Sequence, residues 1–388
     1  MSRARTDPAT AEQAAASAAL GAPVAPTRVH VAGQWRLMWW KFRKHRLALW
    51  SGVLVLLIYV VALFAPFVAP KDPNDYASAY LYAPPMPVEV SLRGPQGEFG
   101  LFFKSYELTA TTDPLTLEKT YVINRDALVP LGFFAPTEPY SMLGLPMNRV
   151  LFGPVNYEQP FYLLGADRLG RDVYSRVIHG TRVSMTVGLV GVLISLVLGI
   201  VLGGISGYFG GFVDDAVQRT IEFLKSIPTI PLWMGLAAAI PTVWSPIAVY
   251  FMVTVILSLV GWTGLAREVR GRFMALKSED FVTAARLDGC SEMRIVLRHM
   301  VPSFASHIIA TLTLAIPTMI LAETALSFLG IGLRPPVVSW GVLLQEAQNI
   351  RTIATAPWLF APGVAVVVSV LALNFLGDGL RDAADPYA

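Results

Sequence analysis

Cysteine occurs once, at Cys290, so no disulfide can close within the chain and the lone thiol reads as a plain small side chain. Histidine is nearly as scarce, and His30, His45, His179, His299 and His307 show no metal-ligand spacing. The chain also lacks His-Glu-x-x-His, a nucleophile elbow and any cysteine pair, which leaves no enzyme constellation. Charge is thin at 15% of residues, and a net charge of +3 is too slight to argue for nucleic acid. No internal repeat is visible. Residues 1–33, rich in Ala, Thr, Pro and charge, contain no apolar stretch long enough for a signal-peptide core and read as a disordered cytoplasmic tail.

What the chain has instead is long apolar runs. Of its 388 residues 54% are hydrophobic, a membrane composition rather than that of a soluble core. Gln34 to Arg46 mixes Trp35, Trp39, Trp40 and Phe42 with Arg36, Lys41, Arg43, Lys44 and Arg46, which suits a helix lying at the interface. Leu47 to Ala69 carries no charge and is long enough to cross about 30 Å of hydrocarbon. Residues 34–70 are therefore an interfacial helix and a first span. Residues 71–161 are polar, aromatic and Pro-rich, with alternating stretches at Val88–Leu92 and Thr120–Ile123 that read as strands of a small extracytoplasmic insertion. That insertion is either a docking surface or passive.

Residues 162–388 read as a core of five further spans. The first of these runs from about Val183 to Ser206, where Gly199, Gly203 and, just beyond, Gly207 recur every fourth residue and smooth one helix face for close packing or for a moving joint. Ser226 to Ala266 holds no charge and is too long for one crossing, so two spans are expected, turning at Pro241–Pro246. The first of the two starts in the amphipathic Asp214–Lys225 segment, whose Arg219 and Glu222 either line an aqueous path or anchor at the cytoplasmic face. Ser303–Leu321 and Thr355–Gly377 complete six spans, with both termini cytoplasmic and Glu323 at the outer end of the fifth.

Residues 267–302 are a short basic connection between spans, which the positive-inside rule keeps in the cytoplasm. Ser278 is placed to cap a helix whose first turn holds Glu279 and Asp280, where acids meet the positive helix end. Phe281, Ala284, Ala285 and Asp288 share helical spacing, so small side chains on that face allow another surface to approach. Gly289 suits a left-handed helix end, Ser291 the next cap and Pro302 the first turn of the following span.

Residues 164–173 imitate a phosphate loop, but Arg171-Asp172 stands where Lys-Ser/Thr is needed and no strand precedes it. Asp167, Arg171, Asp172 and Arg176 at such short intervals can pair into a network that anchors the loop to the next helix.

Two patterns resemble a known family. Thr283-Ala284-Ala285, Gly289, His299, Val301 and Pro302 keep the spacing of the EAA loop of bacterial ABC importer permeases, with Thr283, His299 and Val301 in place of Glu, Ile and Leu. Residues 165–176, which include Asp167, Gly170, Arg171, Asp172 and Arg176, are similar to a signature of dipeptide/oligopeptide permeases. So are residues 208–214, Glu323–Gly332, Ser339–Gly341 and the C-terminal segment. The resemblance covers roughly residues 35–388 apart from much of the insertion. It implies an all-α membrane protein of the type I ABC importer permease fold, C-type subunit, in the bacterial inner membrane.

The resemblance further implies a coupling helix that seats in an ATPase subunit, with the matching Ala284, Ala285 and Gly289 as coupling residues, and Glu279 and Asp280 in its first turn are expected to take part in the coupling. The implied partners are a homologous permease, two ATP-binding subunits, an extracytoplasmic solute-binding protein and the lipid membrane, with no nucleic acid. ATP and magnesium are expected on the ATP-binding subunits and no cofactor on this chain. The solute is a peptide or a related small molecule. An ATP-independent secondary transporter or channel is the alternative.

Overall fold

The computed structural model describes residues 34–93, 99–112, 114 and 119–384. The expected tail over residues 1–33 lies outside the described residues.

The chain opens with α1 (Gln34–Lys44) and α2 (Arg46–Leu63), separated at His45, whose ring nitrogen accepts from the Ala48 amide at 3.1 Å and so caps α2. α1 buries Met38 and Phe42 against Ala383 near the C-terminus and leaves Trp35, Trp39 and Trp40 exposed. α2 ends at Phe64, and a four-residue turn, Ala65–Val68, starts with Pro66 in its first turn.

A sheet then occupies the part of the chain where alternation at Val88–Leu92 and Thr120–Ile123 reads as strands. β1 (Glu89–Arg93), β2 (Phe99–Thr112), β3 (Lys119–Met142) and β4 (Leu145–Pro154) form an antiparallel meander in the order β1-β2-β3-β4. Leu143 and Gly144 both have positive φ, the two-residue turn that matches the twist of antiparallel strands. Edge-to-face rings on Phe103, Phe133 and Phe152 line one face, and Phe161 packs on Phe152. Beneath them Met86, Leu108, Val129, Leu131 and Tyr162 are buried with Phe161.

The helical part follows as α3 (Val173–Phe209), α4 (Gly211–Ser226), α5 (Thr229–Ala238), α6 (Pro246–Leu276), α7 (Asp280–Leu287), α8 (Ala305–Phe328), α9 (Trp340–Leu344) and α10 (Ala361–Ala384). Asp172 caps α3 by accepting from the Ser175 amide, and Ser245 caps α6 with Pro246 in its first turn. α3 packs along α6 and α8, while α10 packs on α2 and α8. Among the described residues five helices are long and apolar enough to cross a membrane: α2, α3, α6, α8 and the helix that ends as α10.

Several boundaries differ from the sequence expectation. α3 starts ten residues before Val183, because Asp172 caps it there. α6 continues to Leu276, so Arg267, Arg270 and Arg272 lie on a helix and not in the loop assigned to residues 267–302. α8 runs to Phe328, which places Glu323 inside a helix. The expected third span is broken: Ile227 is extended (ψ 130°) between α4 and α5, since the residue before Pro228 is sterically driven out of the helical region.

Candidate functional site

The segment from Lys277 to Phe304 joins α6 to α8 and carries α7. Glu279, not Ser278, takes the cap position of α7, and it makes no side-chain cap bond. The Ser278 hydroxyl donates instead to the Ala275 carbonyl at 3.2 Å, which closes the end of α6. Asp280 sits in the first turn as expected. Gly289 has φ +73°, ends α7 in the left-handed region and has open space where a Cβ would project. Ser291 holds the cap position of the next turn without a side-chain bond, and residues 296–300 form a π-helical turn before Pro302.

α7 is amphipathic across its axis in a way that divides the residues grouped by spacing. Val282 and Ala285 are buried in a cluster with Tyr208 of α3, Val269 and Phe273 of α6, and Met300, Phe304 and Ile308. Phe281, Thr283, Ala284, Leu287, Asp288 and Gly289 face outward, Leu287 with 84% of its surface exposed. Ala285 therefore does not belong to an outward docking face. Its small size serves the seating of α7 on its own chain, because the helix turns it toward Phe273 and not toward solvent. Gly289→Ala is expected to cost about 1–2 kcal/mol from backbone strain alone and Gly289→Asn less, read as thermal melting in detergent.

α7 and the end of α6 are tied to α3 by polar contacts as well. Lys277 Nζ donates to the Tyr208 carbonyl at 2.7 Å, and an Arg286 guanidinium nitrogen reaches the Tyr208 hydroxyl at 3.4 Å. Just beyond, Asp214 of α4 accepts two bonds from Arg270 of α6, at 2.6 and 2.5 Å, and one from the Ser206 hydroxyl of α3. Tyr208 and Asp214 belong to the motif at residues 208–214, but their partners Lys277, Arg286 and Arg270 lie far from it in the chain, so the pairings do not show in the sequence.

Gly199, Gly203 and Gly207 lie on the α3 face against α6. A Cβ at Gly199 would meet Leu265 at 2.8 Å, one at Gly203 the Ala266 Cα at 2.8 Å and one at Gly207 the Phe273 Cβ at 2.8 Å. The glycines let the two backbones touch, as the every-fourth-residue spacing implies.

At the other end of α3 the signature loop forms a buried ionic network. Asp167 is 2% exposed and accepts from the Leu169 amide at 2.8 Å, the Arg171 amide at 3.0 Å and Arg171 Nε at 2.7 Å, with an Arg176 guanidinium nitrogen at 3.2 Å. Arg171 continues to Glu346 at 3.1 Å, and Arg168 approaches the same carboxylate at 3.4 Å. Burial pushes the Glu346 carboxyl above the usual range and Asp167 adds to this, while Arg176, Arg171 and Arg168 pull it down. Glu346 had no signal in the sequence. Asp172 bonds the Ser175 amide and hydroxyl, and a Cβ at Gly170 would collide with the Ala77 backbone. The Ala166 amide to Ala83 carbonyl and the Tyr82 amide to Asp167 carbonyl fasten the segment that leads into β1 to this loop.

Glu323 has no exposed surface and accepts from the hydroxyls of Ser327 and Ser339 at 2.8 and 2.7 Å and of Ser184 at 3.3 Å. It faces neither lipid nor water. It joins α8, the start of α9 and α3.

Residues 199–387 match the family described as binding-protein-dependent transport system inner membrane component, and residues 33–85 match the N-terminal TM domain of oligopeptide transport permease C. The glutathione transport system permease protein GsiD of Shigella flexneri is 33% identical over 352 residues, 91% of this chain and 90% of the relative. A Brucella ovis protein named as a peptide permease is 33% identical over 290 residues, covering 94% of that protein but 72% of this chain. A looser likeness, with TM-score 0.42 and 18% identity over 54% of this chain and 96% of the other, is to the MetNI methionine ABC transporter in inward facing conformations. The chain belongs to the family of inner membrane components of binding-protein-dependent transport systems, and is a multi-pass membrane permease of the ABC importer type.

Proposed function

We propose that this permease forms, with a homologous permease, the translocation pathway of an importer for peptides or related small solutes. Two ATP-binding subunits hold the ATP and magnesium, and an extracytoplasmic binding protein delivers the solute. The chain itself does no chemistry. The peptide assignment rests on relatives named for glutathione and peptide transport.

The chain crosses the membrane six times in this reading, with both termini cytoplasmic and the sheet outside. The third crossing is the broken pair α4 and α5. The 10 residues of α5 rise only about 15 Å, half the hydrocarbon thickness, and the 16 residues of α4 supply the remainder, with their exposed Arg219–Glu222 pair on the water-facing side. Pro228 marks the bend between them.

The observation that carries the reading is the two-sided α7, which seats Val282 and Ala285 on its own chain while presenting Phe281, Ala284 and Leu287 outward. Glu279 and Asp280 at its start add acid beside that face. An ATP-binding subunit is its occupant, with Gly289 leaving room at the end of the helix.

The test places tryptophan at neighbouring positions in the reconstituted complex. Ala284→Trp is expected to cut solute-stimulated ATP hydrolysis and uptake at least tenfold while the permease melts as wild type. Ala285→Trp is expected to lower the melting temperature of the permease itself, as overpacked buried sites do. Unaltered coupling in Ala284→Trp would sink the docking role, and uptake by the chain alone without ATP would establish a secondary transporter instead.

A further inference from the structure

α7 is covalently continuous only with α6 and α8. Any movement imposed on it reaches those two helices through the backbone, whereas α3 and α4 can follow only through non-covalent contacts. The polar ones among those contacts converge on one residue. Tyr208, in the last turn of α3, is 3% exposed, and its ring lies in the cluster that holds Val282 and Ala285 of α7. Its hydroxyl meets Arg286 of α7 at 3.4 Å, and its carbonyl accepts from Lys277 at the end of α6 at 2.7 Å, with the same ammonium 5.6 Å from the ring centre.

Immediately after Tyr208 the chain turns a corner. Gly210 and Gly211 have φ +68° and +56°, with nothing within 4 Å of a Cβ at either, so the backbone and not crowding requires glycine here. α4 then starts, and its Asp214 is bound to Arg270 at 2.6 and 2.5 Å in a two-pronged pair, the geometry that fixes a guanidinium against a carboxylate. The Ser206 hydroxyl donates to the same carboxylate, and Gln218 donates to Ser206 at 3.3 Å. α3, α4 and α6 thus meet at one ionic pair, one turn from the residue that α7 holds.

We propose that Tyr208 is the positioning residue through which displacement of α7 is passed to α3, and that the Asp214–Arg270 pair carries it on to α4. This rests on the importer reading above and names how its coupling reaches helices that the backbone does not connect. Coupling energy is shared among packed and hydrogen-bonded contacts, so the claim concerns one link and not a unique wire.

The experiment uses the complete complex with its binding protein in liposomes and reads solute taken up per ATP hydrolysed. Tyr208→Phe keeps the ring in its cluster and removes only the hydroxyl. It is expected to leave assembly, melting temperature and basal hydrolysis as wild type and to lower uptake per ATP about threefold or more. Arg286→Gln is expected to do the same, and the double variant to be no worse than either single one, because both break one link. Asp214→Asn is expected to uncouple further, and Arg270→Lys, which keeps the charge, to recover part of what Arg270→Gln loses. Uptake per ATP unchanged in both Tyr208→Phe and Asp214→Asn, or losses that multiply in the Tyr208→Phe, Arg286→Gln double variant, would overturn the proposal. A wild-type complex with no ATP-dependent uptake would instead overturn the importer reading, and this link with it.

Discussion

Asp167→Ala is expected to destabilise the permease by about 3–5 kcal/mol, the cost of breaking a buried ion pair from one side. Two guanidiniums, Arg171 and Arg176, would be left with their side chains 9% and 2% exposed, facing the gap. Two amides, of Leu169 and Arg171, would lose their acceptor at the same time. Glu346 cannot compensate fully, since Arg171 and Arg168 already reach it. Asp167→Asn keeps an acceptor but removes the charge, and is expected to cost less than the alanine while still exceeding 1 kcal/mol. The comparison pair is Arg219–Glu222 at 3.0 Å, with side chains 84% and 52% exposed. Water screens that pair, so Arg219→Ala is expected to change stability by no more than about 0.5 kcal/mol. Thermal melting of the purified chain in one detergent, for all three variants, decides the matter. Equal small shifts for Asp167→Ala and Arg219→Ala would show that the signature loop is not a structural anchor.

Gly203→Leu is expected to be at least as damaging. A Cβ there falls on the Ala266 backbone, and neither helix has a side chain whose rotation would make room. α3 and α6 would have to separate, which also opens the contacts at Gly199 and Gly207. Inserting bulk into a packed core typically costs about 1–3 kcal/mol, and a clash of backbone with backbone lies at or above the top of that range. The control is on the facing helix. Gly264 of α6 has nothing within 4 Å of its Cβ position, so Gly264→Ala is expected to be neutral or to stabilise by about 0.5–1 kcal/mol through helix propensity. Yield of folded chain and melting temperature measure both. A Gly203→Leu variant that melts with wild type would remove the close packing of α3 on α6.

The glycine spacing and the Asp-Arg spacing were legible because both work at short range along one helix or one loop. Their partners were not. Nothing near Arg171 in the chain announces Glu346, and nothing near Asp214 announces Arg270, since each pair closes a loop of many residues. The break at Pro228 is different: its signal is local, but a reading by absence of charge runs Ser226 to Ala266 together and passes over it. The cap at Ser278 failed for a related reason. Ser278 is the better cap residue, but the end of α6, one turn away, takes its hydroxyl and leaves Glu279 at the cap without a side-chain bond.

Composition and apolar run length were enough to determine a multi-pass membrane protein with strand-forming stretches between residues 71 and 161, and the resemblance of its motifs supplied the importer permease, because run length and short-range spacing follow from the chain alone. Which face of α7 points inward, where Glu323 finds its three serines and how α3, α4 and α6 lock at Asp214 were decided only by the tertiary structure. Each of those depends on the burial of one helix against another, and side-chain spacing along a single helix is the same whichever face the neighbour covers.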